Sequence, residues 1–249
     1  MTIPTLPSVA VLVPLYQTVL SQAERASLVQ CICVLGTYPI ILIKPVGLKV
    51  DRLLAEFPTL RTQDFADEFF TGTDSYNRLL TSLDFYQKFA EHEYVLIYQL
   101  DAYVFRDELP YWCGQKLDYI GAPSVHQESV NALAAGDKEE FARTLSSQRL
   151  VFNGGLSLRR VKGVIRYLKI YQSFFSVWQG NEDMLFSREA TRLVLMKPFI
   201  RLPTWQQALR FSFEKSPAAS YELTQHHLPF GCHAWERYDP AFWQKFIAV

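Results

Sequence analysis

Tyr94-Val-Leu-Ile-Tyr-Gln-Leu-Asp101 is the stretch of sequence that decides the fold. Its unbroken run of apolar and aromatic residues is typical of a strand buried on both faces of a parallel sheet, which we predict over 94–99. Gln99 and Asp101 end the run, and because they alternate with Leu100 their side chains face the same way. In open α/β sheets, ligands bind beyond the carboxyl ends of the strands. The stretch therefore predicts a strand with a ligand site at its end.

The chain before this strand has the pattern of a strand, a helix and a second strand. An apolar, β-branched run predicts a strand over 9–13. Ser21 and Glu24 have the spacing of a capping box, so a helix is expected to start there and to end at Gly36. A second buried strand is predicted over 38–43. The short connections between these elements favour a right-handed parallel unit.

The rest of the chain continues the alternation of strands and helices. Phe69 and Phe70 are expected to close a third strand, and apolar residues at helical spacing predict a helix over 75–90. Further strands are predicted over 117–121 and 157–159, and further helices over 125–148, 160–172, 181–190 and 204–213. This alternation predicts a single α/β domain.

Composition and charge exclude several classes of protein. The 249 residues are 49% hydrophobic, which excludes a disordered chain. With 25 basic and 25 acidic side chains, there is no bulk positive field for nucleic-acid binding. The balance hides a split, because residues 51–110 carry five bases and twelve acids, whereas residues 143–215 carry thirteen bases and four acids. Two differently solvated faces would explain it, and so would a cation site beside an anion site.

Targeting signals and common catalytic motifs are absent from the sequence. No basic segment precedes the first apolar run and no run of about 18 apolar residues occurs, so we expect neither a signal peptide nor a membrane span. The four cysteines form no C-x-x-C pair, which argues against a disulfide scaffold and structural zinc. The motifs G-x-G-x-x-G, G-x-x-x-x-G-K-[ST], G-x-S-x-G and H-E-x-x-H do not occur. We expect a cytoplasmic protein.

Six short motifs follow one another in a fixed order along the chain. They are Ser75-Tyr-Asn-Arg-Leu79, Tyr98-Gln-Leu-Asp-Ala102, Asp118-Tyr-Ile-Gly-Ala-Pro123, Asn153-Gly-Gly-Leu-Ser-Leu-Arg159, Asn181-Glu-Asp183 and Pro229-Phe-Gly-Cys-His-Ala-Trp235. Together they resemble the GT-A class of nucleotide-sugar-dependent glycosyltransferases over nearly the whole chain. The sequence is most similar to a family of uncharacterised glycosyltransferase-like proteins with Gln-x-Asp in place of Asp-x-Asp. The resemblance implies one GT-A, Rossmann-like domain over 1–249, with a mainly parallel sheet and helices on both faces. It also implies a donor half at 1–105 and an acceptor half at 106–249.

The resemblance implies a metal site. Asp101 matches the surviving carboxylate of the Asp-x-Asp motif, and His233 matches the histidine that completes the site near the C-terminus. A carboxylate and a neutral imidazole are suitable ligands for Mn²⁺ or Mg²⁺. Gln99 replaces the first carboxylate and supplies no charge, although its amide can bond a ribose hydroxyl or a metal-bound water. The alternatives are that Asp101 caps the following turn and that His233 packs half-buried against Trp235.

By the same resemblance, Asp183 is the catalytic base and Glu182 lies beside it near the donor. A carboxylate at this place would take the proton from an acceptor hydroxyl as its oxygen attacks the anomeric carbon. The alternative is that the two acids complement the dipole at the start of a helix.

The remaining residues that the resemblance implies would bind the donor. Tyr16 follows the first strand and would stack on the base, and Asn77 and Arg78 would contact the nucleotide. Asn153, Gly154 and Gly155 would form a loop at the donor sugar, in which the glycines allow close backbone approach and positive φ. A plain turn before the next strand would explain this loop equally well.

The function implied is transfer of a sugar from a nucleotide diphosphate donor to a hydroxyl of a glycan or glycolipid. The reaction would invert the anomeric carbon and use Mn²⁺ or Mg²⁺, and polysaccharide biosynthesis is the expected setting. One alternative is a metal-independent transferase, in which Arg and Lys of the basic segment replace the cation. Another is a non-catalytic protein that binds a nucleotide sugar or a glycan on a degenerate transferase fold. No nucleic-acid partner is expected, and peripheral association with a membrane stays open.

Overall fold

A six-stranded sheet lies at the centre of the computed structural model, which describes residues 8–125, 130–131, 135–137, 139–140, 143 and 150–248. In spatial order the strands are β3 (Arg61–Phe65), β2 (Ile40–Pro45), β1 (Val9–Pro14), β4 (Tyr94–Tyr98), β7 (Phe152–Arg160) and β6 (Tyr119–Pro123). The first four strands in this order are parallel, β7 runs antiparallel to β4, and β6 runs antiparallel to β7. The predicted α/β class with a mainly parallel sheet is confirmed.

Apolar residues cover both faces of this sheet. In β1 and β4 consecutive side chains enter two different core clusters, with Val11 and Leu96 on one face and Leu12 and Ile97 on the other. A strand buried on both faces has to be apolar at every position, because its side chains alternate between the faces. This is why the run that begins at Tyr94 has no polar residue before Gln99.

Helices pack on both faces of the sheet, as the sequence predicts. The α-helices are α1 (Gln22–Leu35), α2 (Asp51–Glu56), α3 (Thr73–Leu80), α4 (Leu83–Gln87), α5 (Leu109–Gly114), α6 (Val161–Phe174), α7 (Ala190–Arg192), α8 (Trp205–Phe211), α9 (Pro217–Leu223) and α10 (Pro240–Trp243). Met184–Glu189 is a π-helix, and Asp67–Phe70 and Val194–Phe199 are 3₁₀ helices. Ser21 caps α1 through the expected capping box with Glu24. None of the helices in the described ranges has the length and apolar character needed to cross a membrane.

Two local predictions differ from the structure, and a third falls on residues that the structure does not describe. Phe69 and Phe70 lie in a 3₁₀ helix, and the third strand is the preceding Arg61–Phe65, whose polar residues suit the edge of the sheet. The predicted helix over 75–90 is broken between α3 and α4, where Ser82 accepts a hydrogen bond from the Phe85 N–H and starts a new helix. The helix predicted over 125–148 lies largely outside the described residues.

A second, three-stranded sheet brings distant parts of the chain to the end of β4. Its strands are β5 (Ala102–Val104), β9 (Gly231–His233) and β8 (Ser212–Phe213), in that spatial order. β5 follows β4 after a tight turn in which the Ala102 N–H donates to the Gln99 carbonyl at 2.8 Å. Ala102 pairs with His233 across β5 and β9, so the histidine lies beside the turn that carries Asp101.

Candidate functional site

A cleft of about 750 Å³ opens at the carboxyl ends of β1 and β4. Three segments form most of its wall, namely residues 14–17 after β1, residues 70–73 before α3, and residues 99–101 after β4. Of the predicted site residues, Tyr16, Gln99 and Asp101 line the cleft. A ligand site at the end of the central strand was expected from its sequence, and the cleft lies there.

Asp101, which lines the cleft, also contacts His233. Asp101 Oδ1 lies 3.1 Å from His233 Nε2, and Gln99 Oε1 lies 3.2 Å from the same nitrogen. Burial would raise the pKa of Asp101, but the hydrogen bond and the charge of His233 outweigh burial and lower it. The two residues that the resemblance pairs as metal ligands are therefore adjacent in the fold.

His233 also faces a second carboxylate, Glu214, which sequence reasoning missed. Glu214 Oε1 lies 3.5 Å from His233 Nδ1 and accepts a hydrogen bond from Asn153 Nδ2 at 2.9 Å. Burial would lower the pKa of His233, but Asp101 and Glu214 on its two sides raise it to about 9. One feature of the sequence could have indicated Glu214. It is an acid that directly follows the short apolar run Phe211-Ser-Phe, and this run forms the buried strand β8.

Gly154 and Gly155 lie inside β7 and not in a loop. A Cβ atom on Gly155 would overlap the imidazole of His233, and one on Gly154 would overlap the carboxylate of Glu182. Neither glycine has a positive φ, so the prediction that these positions need glycine for a positive φ was wrong. Close approach is the correct reason, and the groups that approach are side chains of the protein itself.

Glu182 forms a buried ion pair with Arg159, at 2.8 Å between Oε1 and Nη2. Arg159 is completely buried and also donates to the Tyr86 hydroxyl at 2.8 Å. Burial would lower the pKa of Arg159, but Glu182 and the neighbouring tyrosine hydroxyls outweigh it and raise the pKa. The second oxygen of Glu182, Oε2, is buried and accepts no hydrogen bond. This arrangement holds Glu182 in place from the core side.

Asp183 follows Glu182 in the chain but lies in a different environment. Its carboxyl group is half-buried, and its Oδ1 atom is buried without a hydrogen-bond partner. Burial is the largest cause that raises the pKa of Asp183, to about 7, and the charges of Glu182 and Glu214 add to it. A carboxyl group with a pKa near neutrality can both accept and release a proton under physiological conditions.

Asn77 joins α3 to the segment that carries these acids, whereas Arg78 does not approach it. The Asn77 side chain accepts from the Glu182 N–H and donates to Asn181 Oδ1, both at 3.2 Å. Arg78 is exposed and is not among the residues that line the cleft. Tyr76 lines the cleft from the same helix, and residues two positions apart face nearly opposite directions on a helix.

The side chains that meet around Asp101 suit a divalent cation. Asp101 contributes a carboxylate, His233 an imidazole and Gln99 an amide oxygen to one small region, and Mn²⁺ accepts all three kinds of ligand. In the described residues, no three His, Cys, Asp or Glu side chains come together as metal ligands. A donor diphosphate would have to supply the remaining oxygens. The donor set therefore fits a cation that is shared between the protein and its ligand.

The structure thus brings most of the predicted site residues to one region around Gly154 and Gly155, and we name this group the polar cluster. Its members are Gln99, Asp101, Asn153, Glu182, Asp183, Glu214 and His233. Tyr16 lies at the cleft above it, Asn77 supports it from α3, and Gly154 and Gly155 make room for it.

Solved structures of glycosyltransferases share this fold. The bifunctional glycosyltransferase WbbM matches with a TM-score of 0.50 and 12% identity, over 96% of this chain and 48% of its own, so the chain spans about half of that protein. The galactosyltransferase LgtC in complex with donor and acceptor sugar analogues matches with a TM-score of 0.51 and 13% identity, over 90% of this chain and 86% of its own. The glycosyltransferase GlyE of Streptococcus pneumoniae TIGR4 matches with a TM-score of 0.52 and 13% identity, over 97% of this chain and 60% of its own. The chain has the GT-A fold of these proteins.

Sequence comparison gives a family but no activity. No curated protein matches the chain in sequence. The family model described as "Protein of unknown function (DUF5672)" matches residues 59–233, a range that contains every member of the polar cluster. With well over half of its length matched, the chain belongs to the DUF5672 family.

Proposed function

We propose that this protein transfers a sugar from a nucleotide diphosphate donor to a hydroxyl group of a glycan or glycolipid. The observation that carries the proposal is Asp183, a carboxyl group with a pKa of about 7 in the same polar cluster as the Asp101–His233 pair. A base with this pKa beside a candidate diphosphate site is what such a transfer requires. The GT-A fold supports the same reaction class by analogy.

The donor would lie in the cleft. Tyr16 is 63% exposed at its wall and would stack on the base, while Asn153 and Gln99 would bond the sugar or the ribose. The described lining contains the carboxylates Glu24, Asp101 and Glu236 but no lysine or arginine. A diphosphate entering alone would meet negative charge, which favours entry together with a cation over the metal-independent alternative. Mn²⁺ or Mg²⁺ held by Asp101 and His233 would neutralise the charge of the departing diphosphate.

Asp183 would act on the acceptor. The acceptor oxygen attacks the anomeric carbon, the bond between that carbon and the diphosphate oxygen breaks, and the acceptor proton passes to the Asp183 carboxylate. A single displacement of this kind inverts the anomeric carbon. Glu182 is engaged by Arg159 and would hold the backbone of Asp183 in position.

We assign residues 1–105 to the donor half and residues 106–249 to the acceptor half. Most of the cleft lining comes from the first range, and Asp183, Glu214 and His233 come from the second. A cytoplasmic location and a role in polysaccharide biosynthesis belong to the same proposal.

A thermal-shift screen of nucleotide sugars, with and without Mn²⁺, tests the donor site. A true donor at 100 times its Kd should stabilise the fold by about 2.7 kcal/mol, and the shift should largely disappear when EDTA removes the metal. A shift that is unchanged by EDTA would favour the metal-independent alternative. No shift with any nucleotide sugar, with or without metal, would contradict the donor site.

The Asp183→Asn variant then separates a transferase from a non-catalytic binding protein. We expect it to lower donor turnover by about 10²–10⁴-fold and to leave the donor Kd within about twofold, because Asp183 acts on the acceptor. Asp84→Asn changes an exposed carboxylate on α4 in the same way and should retain full turnover. Donor binding without transfer or hydrolysis in the unmodified protein would favour the binding protein.

A further inference from the structure

An exposed apolar surface lies at the end of α6 and on the 3₁₀ helix Val194–Phe199. We name it the apolar patch, and its members are Phe174, Phe175, Val177, Val194 and Leu195. Their exposed fractions are 74%, 38%, 59%, 74% and 83%, respectively. Single exposed apolar side chains are common, but a group of large ones marks an interaction surface.

The two elements that carry the apolar patch pack against each other. Arg166 on α6 donates to the Phe199 carbonyl at 3.0 Å. One turn further along α6, Tyr171 lies near the Glu189–Arg192 pair, whose charges act on its hydroxyl. The 3₁₀ helix therefore runs antiparallel to α6, which places Val194 and Leu195 between the levels of Tyr171 and Arg166 on that helix. Phe175 continues the surface by packing on Tyr171, with their ring centroids 4.9 Å apart.

Exposed basic residues accompany the apolar patch along the chain. Lys169, Arg188 and Lys197 are exposed on the elements that carry it or on the segment between them. The acids in the same part of the chain, residues 161–201, are otherwise engaged. Glu182 pairs with Arg159, Glu189 pairs with Arg192 at 2.8 Å, and Asp183 belongs to the polar cluster. The basic segment counted in the sequence therefore faces outward here and does not line the cleft.

We propose that the apolar patch docks on an anionic lipid bilayer. Large apolar side chains flanked by lysine and arginine are the surface that partitions into the headgroup region, where the cations meet lipid phosphates. A soluble polyanion would leave the five apolar side chains without a role. A second copy of the chain would bring the same positive charges together, which costs free energy without acidic partners. The bilayer matches both the apolar and the cationic character of the surface.

Vesicle co-sedimentation of the full chain tests this proposal. We expect binding to vesicles of 70:30 phosphatidylcholine and phosphatidylglycerol, with much weaker binding to pure phosphatidylcholine and with weakening as NaCl rises to 0.5 M. Lys169→Gln with Lys197→Gln should weaken binding about 25-fold, since each lysine contributes about 1 kcal/mol and 1.4 kcal/mol is tenfold. Phe174→Ser with Leu195→Ser should weaken it at least about tenfold. Tyr111→Ser, which removes a ring that is 55% exposed on α5, should leave binding unchanged.

Other outcomes would overturn the proposal. Wild-type protein that stays in the supernatant with both kinds of vesicle would exclude docking on lipid. Patch variants that bind as well as the wild type would place any lipid contact elsewhere. A concentration-dependent dimer in light scattering that Leu195→Ser abolishes, without vesicle binding, would identify a second copy as the occupant. Donor binding measured in parallel is independent of these results, so failure of docking and failure of the proposed function are distinguishable.

Discussion

At the residue scale, Gly154 and Gly155 carry an unusual constraint for residues inside a strand. Each has a side chain of the polar cluster where its own Cβ would be, Glu182 against Gly154 and His233 against Gly155. The strand thereby brings the acids and the imidazole against its backbone without any strained φ. The geometry of the polar cluster therefore requires that residues 154 and 155 have no Cβ atom.

Gly155→Ala should therefore displace His233 while leaving the rest of the fold in place. We expect the free energy of unfolding to fall by about 1–3 kcal/mol, as for other insertions of a methyl group into a packed site. Mn²⁺ binding, measured by isothermal titration calorimetry, should weaken at least about tenfold because Asp101 loses its neighbour. Gly114→Ala is the matched control, since a Cβ there meets no atom within 4 Å. Equal Mn²⁺ affinity in the two variants would show that His233 is not a ligand.

Asp183 makes a stability prediction that is independent of its chemistry. Its pKa is about 7 in the folded protein against an ordinary 3.8, so between these values the folded state binds more protons than the unfolded state. Stability contributed by this group is therefore fully present below about pH 4 and falls as the pH rises to about 7. The cost at pH 8 amounts to as much as about 3–4 kcal/mol.

Asp183→Asn should remove this cost. In urea unfolding at pH 8 we expect the variant to be more stable than the wild type, with the difference shrinking as the pH is lowered to 4.5. Such a cost would agree with the proposed role of Asp183, because active-site groups commonly reduce the stability of the fold that holds them. A variant that is less stable than the wild type at pH 8 would mean that burial does not strain this carboxylate.

At the scale of elements, local patterns in the sequence predicted strands and helices well but not the partners of the short strands. β1, β4 and α1 are long enough to show apolar runs and a capping box, and all three form where those patterns indicate. β5 and β9 have only three residues each, too few to show a period, and they exist because they pair with each other. That pairing joins Asp101 to His233 across more than 130 positions of the chain.

The same reason explains what sequence reasoning missed in the site. Asp101, Asp183 and His233 stand in recognisable motifs, whereas Glu214 enters the polar cluster because β8 pairs with β9. Glu182 is held by its ion pair with Arg159. Arg159 lies on β7 and Glu182 on a later segment, and no sequence spacing predicts that two such residues will pair. The resemblance pointed to most residues of the polar cluster, and tertiary pairing added Glu214.

At the scale of the whole molecule, the zero net charge conceals an acidic cleft. The acidic segment 51–110 supplies Asp101, and Glu24 and Glu236 add to the lining from both ends of the chain. The bases of segment 143–215 are absent from the described lining, and Arg159 among them is buried with Glu182. In the described lining, the cleft therefore has acidic side chains but no basic side chains of segment 143–215 facing them.

Removing one of these carboxylates should ease the entry of an anion that has no metal with it. Glu236 is exposed at the cleft, so Glu236→Gln should strengthen metal-free binding of nucleoside diphosphates about threefold at low ionic strength. The gain should disappear in 0.5 M NaCl, where exposed charges are screened. Glu222→Gln, which removes an exposed carboxylate on α9, should have no effect on fluorescence titrations of the same ligands. Tighter metal-free binding by both variants would indicate a general charge effect and not the field of the cleft, whereas no change in either would mean that the diphosphate lies beyond the reach of Glu236.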